Sequence, residues 1–344
     1  MAKFHAYAGV ALAALMMLAP VPAAALDRVV VAQATDSLLF MSTYVAQGKG
    51  YFRDEGIDFE LNILPGGPQA LAAVISGNAD VYLGIPTTAM KARLKGQDLK
   101  VFATLVSEVF SNIVIQGDVA ARRGITPATP AKERLAALRG LSLGVNAIGA
   151  APEQVLRYSM RSVGLDPDRD ATIVPAGDGA ALLGAFQQKR IDGLVFSSPV
   201  SDIAVEKFGG VILMNYGRGE DTALRGFTML GLISKSDWLA SHPRQATAMV
   251  RAIWRAETLI REHPEDAREA GRQYFKAMEH HTFDVGFAAV SMATPASPEV
   301  TRRGIELNRE LLKVGENTDF TLPLDSIFTN AFTDAAMKQP LPDR

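Results

Sequence analysis

The stretch "LPGGPQALAAVISGNADVYLG", Leu64–Gly84, decides how this chain is read. It runs from an apolar strand end through a glycine pair into a helical pattern, then into a second strand. A glycine pair between strand and helix brings free backbone N–H groups, at the positive end of a helix dipole, close to a ligand. That ligand is a nucleotide phosphate, an enzyme's oxyanion or a docked solute. A phosphate loop needs G-x-x-x-x-G-K-[ST], and no such Lys follows Gly66–Gly67. H-E-x-x-H and S-x-x-K are missing too. The solute reading remains.

Working outward, short apolar strands alternate with helices on both sides of this stretch. "RVVVAQA" ends at "TDS", a helix-capping signal, before "LLFMSTYVAQGKGYF". "GIDFELNIL", "ADVYLG" and "LKVFATLV" read as strands, and "PTTAMKARLKG" as a proline-started helix. This pattern predicts an α/β fold, a parallel or mixed sheet with helices on both faces. Pro, Thr and Gly break it over residues 122–140, and it resumes at "LSLGVNA".

The second series repeats the first. "GIDFELNILPGGPQALAAVISGNADVYLGIPTT" answers to "GLDPDRDATIVPAGDGAALLGAFQQKRIDGLVFSSPV", with Pro65 opposite Pro175, Gly67 opposite Gly177, Asp80 opposite Asp192 and Pro86 opposite Pro199. Two similar lobes follow, each a small doubly wound sheet with its ligand site outside the carboxyl ends of its strands. Beyond residue 210 come a strand, a polar glycine-rich loop, another strand and a mostly helical remainder. In "PRQATAMVRAIWRAETLIRE" the residues Ala246, Met249, Val250, Ile253, Trp254 and Ile260 form a core-facing stripe.

Composition narrows the function. Residues 1–25 carry Lys3, the apolar run "AYAGVALAALMMLA" and the small-residue end "APVPAAA", the pattern of a signal peptide cleaved after Ala25. The rest of the 344 residues suffices for two compact units. A formal net charge of −2 gives no reason to expect nucleic acid or an anionic membrane surface as partner. The chain has no cysteine, hence no disulfide, thiolate metal site, cysteine nucleophile or N-terminal lipid anchor. An exported, unanchored protein of this kind fits the bacterial periplasm. His280 and His281 are adjacent, cannot pair on one helix face as metal ligands, and are expected at a surface or helix end.

Six turns at the strand ends hold the candidate ligand contacts: Asp36 and Ser37; Gly66, Gly67 and Gln69; Thr87; Asn146 and Gly149; Asp178; and Ser198. Each turn is small or hydroxyl-bearing and precedes a helix, although Asp36, Ser37, Thr87, Asp178 and Ser198 also suit plain helix capping. Glu108, Phe110 and Arg218 form a second tier beside them. Gly67→Val is expected to block the approach of a ligand while leaving the fold intact.

The stretches "YVAQGKGYFRDEGIDFEL", "GGPQALAAVISGNADVYLG" and "QQKRIDGLVFSSP" resemble the periplasmic substrate-binding proteins of ABC importers, in the group serving nitrate, sulfonates, taurine and thiamine-pyrimidine precursors. The resemblance covers most of residues 27–262. It implies a type II clamshell with lobe I at 27–110 and 225–344, lobe II at 111–224, and hinge crossovers near 105–112 and 215–227. It also implies a monomer without cofactor or metal that closes on a small polar solute and docks on a membrane permease, with no catalytic residue. Two other roles are an enzyme on the same fold, as in the group's pyrimidine-synthesising members, and a partner of a periplasmic sensor. The enzyme members depend on a cysteine-rich motif and a histidine. The turns depart from what a strongly anionic solute requires, because none carries Lys or Arg, and Arg218 and Arg225 are the nearby bases. Asp36 and Glu108 point instead to a solute with N–H donors, such as taurine or an aminopyrimidine, with Phe40, Tyr44, Phe110 and Phe196 as candidate stacking rings.

Overall fold

The computed structural model describes residues 25–342 except residue 127. All but the last residue of the expected signal peptide lies outside the described residues. Ten strands form two five-stranded sheets. The first contains β1 (Asp27–Gln33), β2 (Ile57–Ile63), β3 (Val81–Gly84), β4 (Leu99–Val106) and β10 (Leu230–Lys235), in the order β2-β1-β3-β10-β4. The second contains β5 (Ser111–Gln116), β6 (Ser142–Val145), β7 (Thr172–Pro175), β8 (Gly193–Ser197) and β9 (Gly210–Asn215), in the order β7-β6-β8-β5-β9.

The two orders are one pattern used twice. In each sheet the first three strands pair in parallel, and the fourth position holds an antiparallel strand, β10 or β5. That strand is the one the chain enters after crossing from the other sheet, through residues 107–110 into β5 and 216–229 into β10. Both sheets are therefore mixed, and helices cover both faces.

A matched pair of carboxylates marks the repeat. Asp80 Oδ2 accepts the Val30 N–H at 2.8 Å, and Asp192 Oδ2 accepts the Ser142 N–H at 2.8 Å. The same aspartates donate their own N–H groups to the carbonyls of Val30 and Ser142. Each closes the start of a parallel strand pair, where a backbone donor would otherwise be lost to the core. Asp80→Ala is expected to cost about 1.5–3 kcal/mol, as for a hydrogen bond to a charged group, and Asp192→Ala a similar amount. Urea denaturation of each variant measures the two losses.

The turns align differently from the sequence comparison, by two residues at Pro175 and by one at Gly177. Strand register sets Gln33 opposite Ile63 and Val145 opposite Pro175, so Pro175 corresponds to Ile63 rather than Pro65. Gly66, at φ 92°, donates to the Ala34 carbonyl, and Gly177, at φ 90°, donates to that of Asn146. These two, not Gly67 and Gly177, are equivalent, because only glycine adopts that backbone cheaply. Gly67 has a different task, described below.

The C-terminal third belongs to the core. The helix Pro243–Glu262 buries Ala246, Met249, Val250, Ile253 and Ile260, while Trp254 is half-buried. It buries Glu257 as well, which an apolar-stripe reading passes over. Val101 pairs with Phe328 beside β4, and the Arg251 guanidinium donates to the carbonyls of Ala336, Gln339 and Pro340. No helix among the described residues is long and apolar enough to cross a membrane.

Candidate functional site

The first point of convergence joins the two sheets' strand-end turns. Thr87, at the start of the helix Pro86–Arg93, is fully buried. Its Oγ1 donates to Gln154 Oε1 at 2.9 Å, on the helix Ala151–Ser162 that follows β6. Gln154 Nε2 donates to the Gly149 carbonyl at 3.1 Å, and the Gly149 N–H donates to Glu153 at 3.2 Å. Thr87 and Gly149 are thus brought together through Gln154. Sequence reasoning missed Gln154 because a glutamine one turn inside a helix carries no local signal. From a third direction the π-helix Leu311–Gly315 closes on this helix: a Cβ on Gly315 would stand 3.0 Å from the Gln154 carbonyl oxygen, and Arg161 donates to the Val314 carbonyl at 2.7 Å.

The second point lies at the end of β1. Tyr44 donates to Asp36 Oδ1 at 2.9 Å and accepts from Gln33 Nε2 at 2.7 Å. Burial raises the Tyr44 pKa. Its ring lies 5.1 Å from Tyr274 and edge-on to Phe275, so Tyr44 is a core residue that holds Asp36 in place. Phe40 is core too. Asp36 itself is exposed. Ser37 accepts the Leu39 N–H at 3.2 Å and caps the following turn.

The third point is a cavity of about 260 Å³ between the second sheet and the helix His280–Ala293. Phe110, Ser198 and Arg218 line it, joined by Asn112, Asp202 and Asn215, which sequence reasoning missed. Val285, Ala289 and Met292 supply the apolar side. Ser198 donates to Asp202 Oδ2 at 2.5 Å. A Cβ on Gly286 would stand 2.2 Å from Leu38 and 3.3 Å from Pro199, so one helix touches the turn after β1 and the turn after β8.

The remaining candidates lie outside these hydrogen bonds and this cavity. Asp178 accepts the Ala181 N–H at 2.9 Å as an exposed helix cap, and Gln69 is exposed. Asn146 has a buried amide oxygen with no donor among the described residues. Glu108 accepts the Gly226 N–H at 3.3 Å, tying one crossover to the other, and burial raises its pKa. A Cβ on Gly67 would meet Tyr82 Oη at 2.7 Å. The expectation that Gly67→Val leaves the fold intact is therefore corrected: Gly67 is demanded by packing on a fully buried tyrosine. His280 and His281 open a helix, and His281 Nε2 lies 3.4 Å from Glu206.

"GLSLG", Gly140–Gly144, has the spacing of a hydrolase nucleophile elbow. Ser142 does not stand on a strand-to-helix turn. It opens β6, with its N–H held by Asp192.

A family model described as the NMT1-like family matches residues 39–273. The chain belongs to the NMT1-like family. A Bacillus subtilis protein named as a binding protein, YtlA, is 24% identical over 242 residues, 69% of this chain and 67% of that one. The 4-amino-5-hydroxymethyl-2-methylpyrimidine phosphate synthase of Uromyces fabae is 24% identical over 223 residues, 61% of this chain, which spans 60% of its length. Among solved structures, a protein of Bordetella bronchiseptica superposes with a TM-score of 0.77 at 21% identity, covering 90% of this chain and 97% of that one. The alkanesulfonate-binding protein SsuA of Xanthomonas axonopodis, bound to MOPS, gives 0.67 at 14% identity, covering 91% and 99%. This member of the NMT1-like family has the α/β fold of periplasmic substrate-binding proteins.

Proposed function

We propose that this protein is the periplasmic receptor of an ABC importer, a monomer that closes two lobes on a small polar organic solute and presents it to a membrane permease. Lobe I comprises residues 27–110 and 225–344 and lobe II residues 111–224, with the crossovers at 105–112 and 215–227 as hinge. The observation that carries this reading is the buried Thr87–Gln154 hydrogen bond, which joins the strand-end turns of two sheets of identical topology. Such a contact exists only when the lobes are together, so it contributes to closure and not to the folding of either lobe. A solute that adds contacts in the closed form shifts the population toward it. The enzyme reading, drawn from the synthase relative, has less support, since the chain has neither cysteine nor a histidine on the six turns.

A thermal-shift screen of the chain from residue 26 against sulfonates, taurine, nitrate, aminopyrimidines and aromatic acids tests the proposal. A ligand at 100 times its Kd adds about 2.7 kcal/mol to stability. Thr87→Val is expected to weaken binding of a confirmed ligand by about 0.5–1.5 kcal/mol, with little change in the melting temperature of the unliganded protein. Turnover of a compound with no stabilising ligand in the panel would overturn the receptor reading.

A further inference from the structure

Two segments of the C-terminal third each touch strand-end elements of both sheets, and they do so on matched sides. The strand orders make β1 the equivalent of β6 and β3 the equivalent of β8. The run from Arg302 to Glu316 meets the helix after β3 and the helix after β6. The helix His280–Ala293 meets the turn after β1 and the turn after β8. The repeat is thus bridged twice, by segments outside it.

Each bridge is rooted deeply beside the first sheet. Ile305 and Leu312 share a buried cluster with Leu71, Val74 and Tyr82, and both Glu316 carboxylate oxygens accept from Lys91 Nζ at 3.0 Å. Phe283 is fully buried 5.9 Å from Phe275, which in turn meets Tyr44 edge-on. Toward the second sheet each bridge makes its close contact through a glycine. A Cβ on Gly315 would stand 3.0 Å from the Gln154 carbonyl oxygen and 3.7 Å from Tyr158 Cβ, and Gly286 is seated between Leu38 and Pro199. The polar bonds on this side include Arg161 to the Val314 carbonyl and the exposed Lys207–Glu279 pair at 3.0 Å. This asymmetry decides which side gives way. Buried apolar clusters resist separation, whereas surface ion pairs and single hydrogen bonds exchange readily with water.

We propose that the two segments are clasps, rooted in lobe I and gripping lobe II only while the lobes are together. The proposal rests on the receptor reading and adds to it the parts that let go when the lobes separate.

A chain without cysteine allows a clean test. Tyr158→Cys with Gly315→Cys sets two Cβ atoms at a separation suited to a disulfide, and no other disulfide can form. Small-angle X-ray scattering of the chain from residue 26, without solute, compares this oxidised pair with Gly315→Leu and with Gly286→Leu, in which a side chain pushes one clasp off lobe II. The pair is expected to crosslink, and the crosslinked form to have a smaller radius of gyration than either leucine variant. Circular dichroism checks that each protein is folded. Should a leucine variant fail to fold, Arg161→Ala, which deletes the Val314 bond without adding bulk, is expected to shift the radius in the same direction. Equal radii for the crosslinked form and the folded clasp variants overturn the proposal, and so does a cysteine pair that does not crosslink. No solute enters the measurement, so either result leaves the receptor reading to be judged by the broad screen above.

Discussion

Gly84→Val is expected to cost more than about 3 kcal/mol of stability. Tyr82 and Gly84 lie two apart on β3 and so share a face of the sheet, and the tyrosine ring folds over the glycine. A Cβ on Gly84 would stand 1.9 Å from both Cζ and Oη of that ring, where no side chain fits without displacing it. The ring has nowhere to go: Tyr82 is fully buried, burial pushes its hydroxyl up to about 12, and that hydroxyl lies against Gly67 on the next turn. Gly67, Tyr82 and Gly84 thus form one stack that sets the glycine turn beside the start of the Thr87 helix. Urea denaturation measures the loss. The mechanism has its own check, because Tyr82→Ala combined with Gly84→Ala should cost less than the two single losses summed. Additive losses would place the strain elsewhere.

Glu257→Gln is expected to make the protein more stable than wild type at alkaline pH and to bring the two together in acid. Glu257 is fully buried in the helix Pro243–Glu262, and neither carboxyl oxygen has a donor among the described residues. Burial raises its pKa well above the ordinary carboxyl value of 4.5, against a smaller opposing pull from Arg261. The folded form therefore holds a proton that the unfolded chain releases near pH 4.5. The stability this proton supports is fully present below the unfolded pKa and is lost as pH rises through the folded one. Glutamine has the same shape and no proton to lose. Its advantage should widen by about 1.4 kcal/mol for each pH unit inside that window and level off above it. Paired melting curves from pH 4 to pH 9 decide this, and a difference that does not change with pH would show that Glu257 does not titrate on unfolding.

Both predictions concern positions at which tertiary packing overrules the reading of the chain. Gly67 and Gly84 each read as freedom for a ligand or a strand end, yet a tyrosine between them explains both. Glu257 sits in a helix whose apolar spacing marks a buried stripe, and nothing in that spacing shows that the carboxylate is buried with it. Its burial depends on neighbours far away in sequence.

The candidate site divides in the same way. Ser198, Phe110 and Arg218 gather around one cavity, and Thr87 and Gly149 are linked through Gln154, because each stands at the end of a strand or crossover that the repeat places. Their partners Gln154, Asn112 and Asp202 lie within regular elements, where a polar residue looks like any other surface position. The His280–Ala293 helix is harder still to foresee. It has no counterpart in the repeat, and it reaches the cavity from the C-terminal third of the chain.

By itself the sequence determined the alternation of strands and helices, the doubling of the unit and the matching of Asp80 with Asp192, since these are local or periodic properties. Asp80 and Asp192 each lie fifty residues beyond the strand position they bind, and that spacing is written in the chain. Which turns face one another, which glycines yield to a ring instead of a ligand, and which amide oxygen is left without a donor were decided by the tertiary structure. Those outcomes depend on distances between residues that share no sequence neighbourhood, and only the packed chain sets them.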